Sequence, residues 1–124
     1  MNIKDWILEL SHNRWGEDSL YQDYDYTDVF TCPVFELVVN EEVAFRNKKG
    51  PWNNNGWWNP TIRVGEVADD HVSLYIYYTK SVNTTTKSRA DVVFDKDNRE
   101  WETSCYGGKS SDAYHLILRP KDEN

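Results

Sequence analysis

Residues 3–11 read Ile-Lys-Asp-Trp-Ile-Leu-Glu-Leu-Ser, and their reading decides the fold. Ile3, Trp6, Ile7 and Leu10 stand at i, i+3, i+4 and i+7, one stripe of an amphipathic helix. Asn2 fits an N-cap, and Asp5 three residues on imitates a capping box. A carboxylate in the first turn also suits the helix dipole. The pattern fades at Ser11, His12 and Asn13, and Gly16 stops any extension. A helix over 3–11 is the expectation.

After Pro33 the chain changes character. Positions 34–39 and 42–46 are rich in β-branched and aromatic residues around Asn40 and Glu41, and read as a β-hairpin. Turn chemistry with two lysines fills 47–51. Positions 61–67 alternate through Ile62 and Val64, and Asp69-Asp70 turns the chain. Positions 71–79 then set Val72, Leu74, Ile76 and Tyr78 on one face, against Ser73, Tyr75, Tyr77 and Thr79 on the other. That clean alternation marks a half-buried antiparallel strand. A polar loop spans 80–88; its sequon Asn83-Thr84-Thr85 matters only in a secreted protein. Further strands read at 89–95 (Ala90, Val92 and Phe94 inward), 99–105 (Trp101, Thr103, Cys105) and 113–119 (Tyr114, Leu116, Leu118). The expected fold is therefore α+β, one domain over 1–124. It is an N-terminal helix followed by a curved antiparallel β-meander of about six or seven strands.

Length and composition agree with one globular domain. Six Trp, eight Tyr and four Phe supply core bulk that the aliphatic residues do not, despite a mean hydropathy of −0.80. No apolar run approaches the roughly 20 residues that span a membrane. The first residues are interrupted by charge and lack a basic flank or a small-residue cleavage site, so a cytoplasmic location is expected. Cys32 and Cys105 lie far apart without CxxC spacing, and are expected as buried thiols rather than metal ligands.

Charge is unevenly placed. Residues 1–42 hold two basic residues, Lys4 and Arg14, against ten acidic ones, while the whole chain carries −7. The stretch 17–28, EDSLYQDYDYTD, contributes five of those carboxylates interleaved with Tyr21, Tyr24 and Tyr26, and shows no clear period. Charge runs are usually solvated surface. Here the concentration in one third of the chain, and the tyrosines, which give rigid contact area, point to a contact surface for a basic partner. The acidic balance argues against nucleic acid as ligand.

Catalytic and metal motifs are weak. Asp69-Asp70-His71 reads first as a polar hairpin tip. His115 points away from the apolar face of its strand. GGKSS at 107–111 lacks phosphate-loop spacing. Asp95-Lys96-Asp97-Asn98 lacks the ligand spacing of a calcium loop. No GxSxG elbow is present. No cofactor or metal is implied. Residues 51–60, with Trp52, Trp57 and Trp58 among four asparagines, read as a packed loop over one end of the sheet, a partner hot spot or a glycan platform.

In size, acidity, aromatic richness and lack of catalytic motif, the chain resembles the immunity proteins that bacteria make against their own nuclease toxins. The resemblance is one of general character and carries no residue roles. It implies a non-enzymatic protein that binds a cognate toxin domain tightly in the cytoplasm and occludes its active site. On the residues themselves, Glu17, Asp18, Tyr21, Asp23, Tyr24, Asp25, Tyr26 and Asp28 are the expected partner surface, with Trp57 and Trp58 as further anchors. The alternative is a carbohydrate or small-ligand module built on the Trp/Asn loop. A weaker option is an enzyme using His71 or His115 with a carboxylate.

Overall fold

A computed structural model describes residues 2–17, 23–53, 56–83, 86–108 and 110–122. The chain there is all β. Nine strands run in order: β1 (Trp6–Glu17), β2 (Asp23–Pro33), β3 (Arg46–Asn47), β4 (Gly50–Pro51), β5 (Thr61–Val67), β6 (Val72–Tyr78), β7 (Ser88–Phe94), β8 (Glu100–Gly107) and β9 (Ser110–Pro120). They form a six-stranded sheet, ordered β4-β3-β2-β1-β9-β8, and a three-stranded sheet, β5-β6-β7. All pairings between strands are antiparallel. One buried cluster joins the sheets: Leu8, Leu10, Leu116 and Leu118 from the larger, and Val64, Leu74, Ile76 and Phe94 from the smaller. Each such burial contributes about 1.5–3 kcal/mol.

The expected helix over 3–11, and with it the α+β class, is overturned. Asn2 does cap, its Oδ1 accepting from Lys4 N at 2.9 Å, but it caps only a single 3-10 turn, Ile3–Asp5. From Trp6 onward the period is two: Trp6, Leu8 and Leu10 are buried, while Ile7 and Glu9 take the other face. A helix would leave Leu8 off its stripe. The strand buries it and bonds its main chain on both sides, to β2 from Ile7 to Glu17 and to β9 from Trp6 to Gly16. A nine-residue helix is marginal in water, so the central-strand solution wins.

The hairpin expected over 34–46 is also absent. A 3-10 turn (Val34–Glu36) follows β2, and residues 40–43 run along β5 instead. Asn40 N donates to Val64 O at 2.9 Å, and Val43 N to Ile62 O at 3.0 Å. Asn40 takes a left-handed φ of 71°, a conformation that Asn tolerates better than most residues. The later strands form where expected but not as one curved meander of six or seven, since β7 and β8 belong to different sheets, and Thr79, expected on the polar face, is buried. Val72, Leu74 and Ile76 are buried on β6, Phe94 on β7, and Tyr114, Leu116 and Leu118 on β9. Asp95 Oδ1 accepts from Asp97 N and Asn98 N, closing a tight turn between β7 and β8.

Candidate functional site

The β1–β2 ribbon ends in the acidic stretch, and its strand geometry sorts that stretch by face. Side chains alternate along a strand. On β2, Asp23 and Asp25 lie opposite Glu17 and Trp15, on the face turned away from the core. Tyr24, Tyr26 and Asp28 lie opposite Gly16, Arg14 and His12, on the core-side face. The pleat therefore splits the acids and tyrosines that interleave in sequence: Tyr26 and Asp28 line the cavity side, while Tyr24 still borders Asp23 and Asp25. Asp18 and Tyr21, also expected there, fall outside the described residues.

The outer face carries Trp15, 47% exposed, Glu17, Asp23 and Asp25, with Tyr106 of β8 59% exposed nearby. These five and Ser111 line a shallow depression of about 700 Å³. Glu17 and Asp23 are directly opposite each other, and neither has a counter-ion among the described residues. Asp25 is held by a neutral group: Asn13 Nδ2 donates to its Oδ1 at 2.8 Å and to Thr27 Oγ1 at 3.0 Å. Among the described residues, then, no cation pairs with the carboxylates of this face.

The core-side face is a different chemistry. Beyond the apolar layer, the inward positions of β1 and β9 become His12, Arg14, Asp112 and Tyr114. Register sets His12 against Tyr114 and Arg14 against Asp112. Asp112 Oδ1 accepts from His12 Nε2 at 2.6 Å and from Arg14 Nε at 2.8 Å. Burial pushes the Asp112 carboxyl up, but those two hydrogen bonds and the Arg14 charge outweigh it and hold the group below the ordinary carboxylate value. The His12 ring stacks on Tyr114, centroids 4.6 Å apart, and meets Trp52 edge-on at 5.3 Å. Burial is also the main reason that the Tyr114 hydroxyl titrates well above its usual range. That hydroxyl donates to Asn59 Oδ1 at 2.7 Å.

The Trp/Asn loop closes over this end. Asn59 Nδ2 donates to Asn53 O at 3.0 Å, and Thr79 Oγ1 to Trp57 O at 3.2 Å. Trp52 and Trp58 pack against the core, which leaves Trp57 as the exposed ring. Of the two tryptophans expected to anchor a partner, only Trp57 is presented outward. A cavity of about 370 Å³ remains between the loop and the ribbon, lined by His12, Arg14, Tyr26, Asp28, Trp52 and Trp58 among others. The Trp58 indole N–H is buried without a hydrogen-bond partner among the described residues. Asp28, expected as a partner residue, is taken up by Lys49 Nζ at 3.0 Å.

The remaining candidates are structural in placement. His71 sits at an exposed hairpin tip between Asp70 Oδ1 (2.7 Å) and Glu66 Oε1 (2.9 Å). The hydrogen bond to Asp70 is the chief cause raising the His71 pKa, with Glu66 adding to it. A raised histidine pKa stabilises the fold below the unfolded value of about 6.5, and the contribution is lost as pH rises through the folded value. An NMR titration is expected to find His71 above the ordinary value and to find it lowered in Asp70→Asn; an unchanged midpoint in that variant contradicts the assignment. His115 lies 3.5 Å from Glu100 on the outer face. Cys32 and Cys105 are buried free thiols, Cys32 pushed up to about 11 mainly by burial. Among the described residues no cluster of three or more His, Cys, Asp or Glu could hold a metal, and no helix is long and apolar enough to cross a membrane.

Two features escaped the sequence reading. Trp15 and Tyr106 join the acidic face only through strand register, although both are aromatic residues set among polar neighbours. Arg14 and Asp112 are 98 residues apart, and nothing local connects them. The class that fold and site define is an antiparallel two-sheet β protein with an acidic, aromatic rim. No protein-family model, curated protein or solved structure matches the chain.

Proposed function

We propose that this is a non-catalytic binding protein that captures a basic protein partner on the outer end of the β1–β2 ribbon. In its most specific form, it is an immunity protein acting in the cytoplasm, where it occludes a cognate nuclease-type toxin. The observation that carries the reading is the Glu17–Asp23 pair. Like charges directly opposite on one face cost the sheet roughly 0.2–1 kcal/mol, and folding gains nothing from them. Flanked by exposed Trp15 and Tyr106, they supply what a cationic surface needs: attraction at a distance and aromatic area at contact. The contact set is Trp15, Glu17, Asp23, Asp25 and Tyr106. Tyr24 borders the same depression, and Tyr26 lies on the cavity side.

The toxin form of the proposal has a direct test. The neighbouring gene is expected to encode a protein with a basic, nuclease-like domain that copurifies one-to-one with this chain. An unrelated neighbour and no complex would remove the toxin and leave the basic-partner reading standing. In that complex D23K/D25K is expected to weaken affinity by roughly tenfold or more, since like-charge juxtaposition costs several kcal/mol. It should also flatten the dependence on salt.

A second reading is favoured by the cavity under the Trp/Asn loop. Its aromatic walls, its polar groups and a buried Trp58 N–H that has no partner among the described residues suit a small polyhydroxy ligand offering an acceptor oxygen. Tryptophan fluorescence against a monosaccharide panel tests it, and no change at millimolar sugar removes it.

A further inference from the structure

One edge of the six-stranded sheet is left open among the described residues. β2 pairs with β1 along its whole length, but on its other side it meets β3 only where Thr31 faces Arg46. Residues 23–29 make no main-chain hydrogen bond to any other described segment. Two other edges are covered. Residues 40–43 lie along β5, and residues 80–82 lie on β8, with Tyr106 N donating to Lys80 O at 3.0 Å and Val82 N to Tyr106 O at 2.9 Å. The edge of β7 carries the Arg89–Asp91 ion pair, at 2.6 Å.

Open strand edges are templates for another chain, and proteins ordinarily blunt them with lysine, proline or a bulge. Residues 23–29 contain no lysine or proline, and their register with β1 runs without a shift. What they do contain selects the occupant. A second copy laid antiparallel on this edge would set two strands side by side, each with three aspartates and no cation, which is unfavourable. A strand with lysine or arginine at every second position would face Asp23 and Asp25 with cations on the outer side. Its intervening side chains would meet Tyr24 and Tyr26 on the other. We infer that residues 23–29 are a docking edge for an extended, lysine- or arginine-rich segment of the partner, which extends the sheet in line with β3 by strand addition. This inference rests on the basic-partner reading and adds the mode of binding.

The probe is an eight-residue peptide alternating lysine with valine, titrated into the full protein at low salt. Two further versions carry N-methyl groups on alternate residues, one in each phase. Only one phase of a strand's amides faces its neighbour. Methylation in that phase is expected to weaken binding roughly tenfold or more, the equivalent of one or two main-chain hydrogen bonds, while the other phase binds like the parent. Amides within 23–29 are expected to gain hydrogen-exchange protection when the parent peptide binds. Two methylated peptides that bind like the parent, or no protection within 23–29, overturn strand addition. If D23K/D25K still loses the parent peptide, the basic-partner reading survives that failure. If D23K/D25K binds the parent peptide unchanged, the basic-partner reading itself fails.

Discussion

Leu8→Ala is expected to cost about 2–5 kcal/mol of folding stability, whereas Ile7→Ala costs about 1 kcal/mol. Leu8 is completely buried, packed between Cys32 on β2 and Leu118 on β9, and no solvent reaches the space that truncation would open. Ile7 is only partly covered on the opposite face of the same strand. The order of the two effects separates the folds. An amphipathic helix over 3–11 puts Ile7 on the buried stripe and Leu8 off it, so it would reverse them. Urea unfolding of both variants decides the matter, provided that the slopes with denaturant match. Against a total of about 5–15 kcal/mol for a domain of ordinary stability, the Leu8 loss is large enough to threaten folding.

Asp112→Ala is expected to cost about 2–4 kcal/mol. It strands Arg14 and His12 together, and removing one member of a buried ion pair leaves a charge that water cannot fully reach. The value is set below the roughly 3–5 kcal/mol of a fully buried pair because the Arg14 side chain keeps 32% of its surface exposed while Asp112 keeps 12%. The effect also carries a pH signature. The Asp112 carboxyl titrates below its unfolded value of about 3.9, so its contribution is complete above that pH and disappears as pH falls through the lower, folded value. The stability gap between wild type and variant is therefore expected to be constant above about pH 5 and to close below about pH 4. A gap that persists undiminished to pH 2 would show that the charge on Asp112 is not what stabilises this end of the core.

The parts of the fold that could be read from sequence are those where one face of a strand meets the core over its whole length. Val72, Leu74 and Ile76, or Tyr114, Leu116 and Leu118, alternate with polar residues and admit one reading. β1 did not, because Trp6, Ile7 and Leu8 are apolar in a row. Any stripe drawn through three consecutive apolar residues can satisfy a helical period, and the capping residue Asn2 reinforced the wrong choice. What makes the segment a strand is its pair of neighbours, β2 and β9, and β9 lies at the far end of the sequence. β2 failed for another reason. Its first half extends past the core, so neither face is aliphatic and the alternation is of aspartate with tyrosine rather than polar with apolar. The segment 34–46 was rich in β-branched residues, yet Phe35, Val38 and Val39 are exposed and its pairing is with β5.

The acidity of the candidate surface was legible by counting, and its face was not. Composition places Asp23, Tyr24, Asp25 and Tyr26 together; pleating turns Tyr26 to the cavity side and leaves Tyr24 bordering the outer depression. The same pleating brings in Trp15 from β1 and lets Tyr106 of β8 share the depression. No local pattern could have paired Arg14 with Asp112, since only the β1–β9 register sets them opposite.

The most direct measurement of whether the outer face takes the partner is a calorimetric titration with the basic domain, or with the lysine–valine peptide, using three double variants. D23K/D25K reverses the proposed face. D69K/D97K makes the same change in charge at the other end of β1, where Ile3 N donates to Asp69 O at 2.8 Å and Asp97 lines a cavity with Ile3. Y24S/Y26S removes the two rings on the other face of the same edge, Tyr24 at the border of the outer depression and Tyr26 on the cavity side. The expected result is an affinity lost by roughly tenfold or more in D23K/D25K, a smaller loss in Y24S/Y26S and none in D69K/D97K, with the wild-type affinity falling as salt shortens the screening length from about 10 Å to about 3 Å. Equal losses in D23K/D25K and D69K/D97K would mean that net charge and not this face governs binding, and a loss confined to Y24S/Y26S would place the contact on the other side of the sheet.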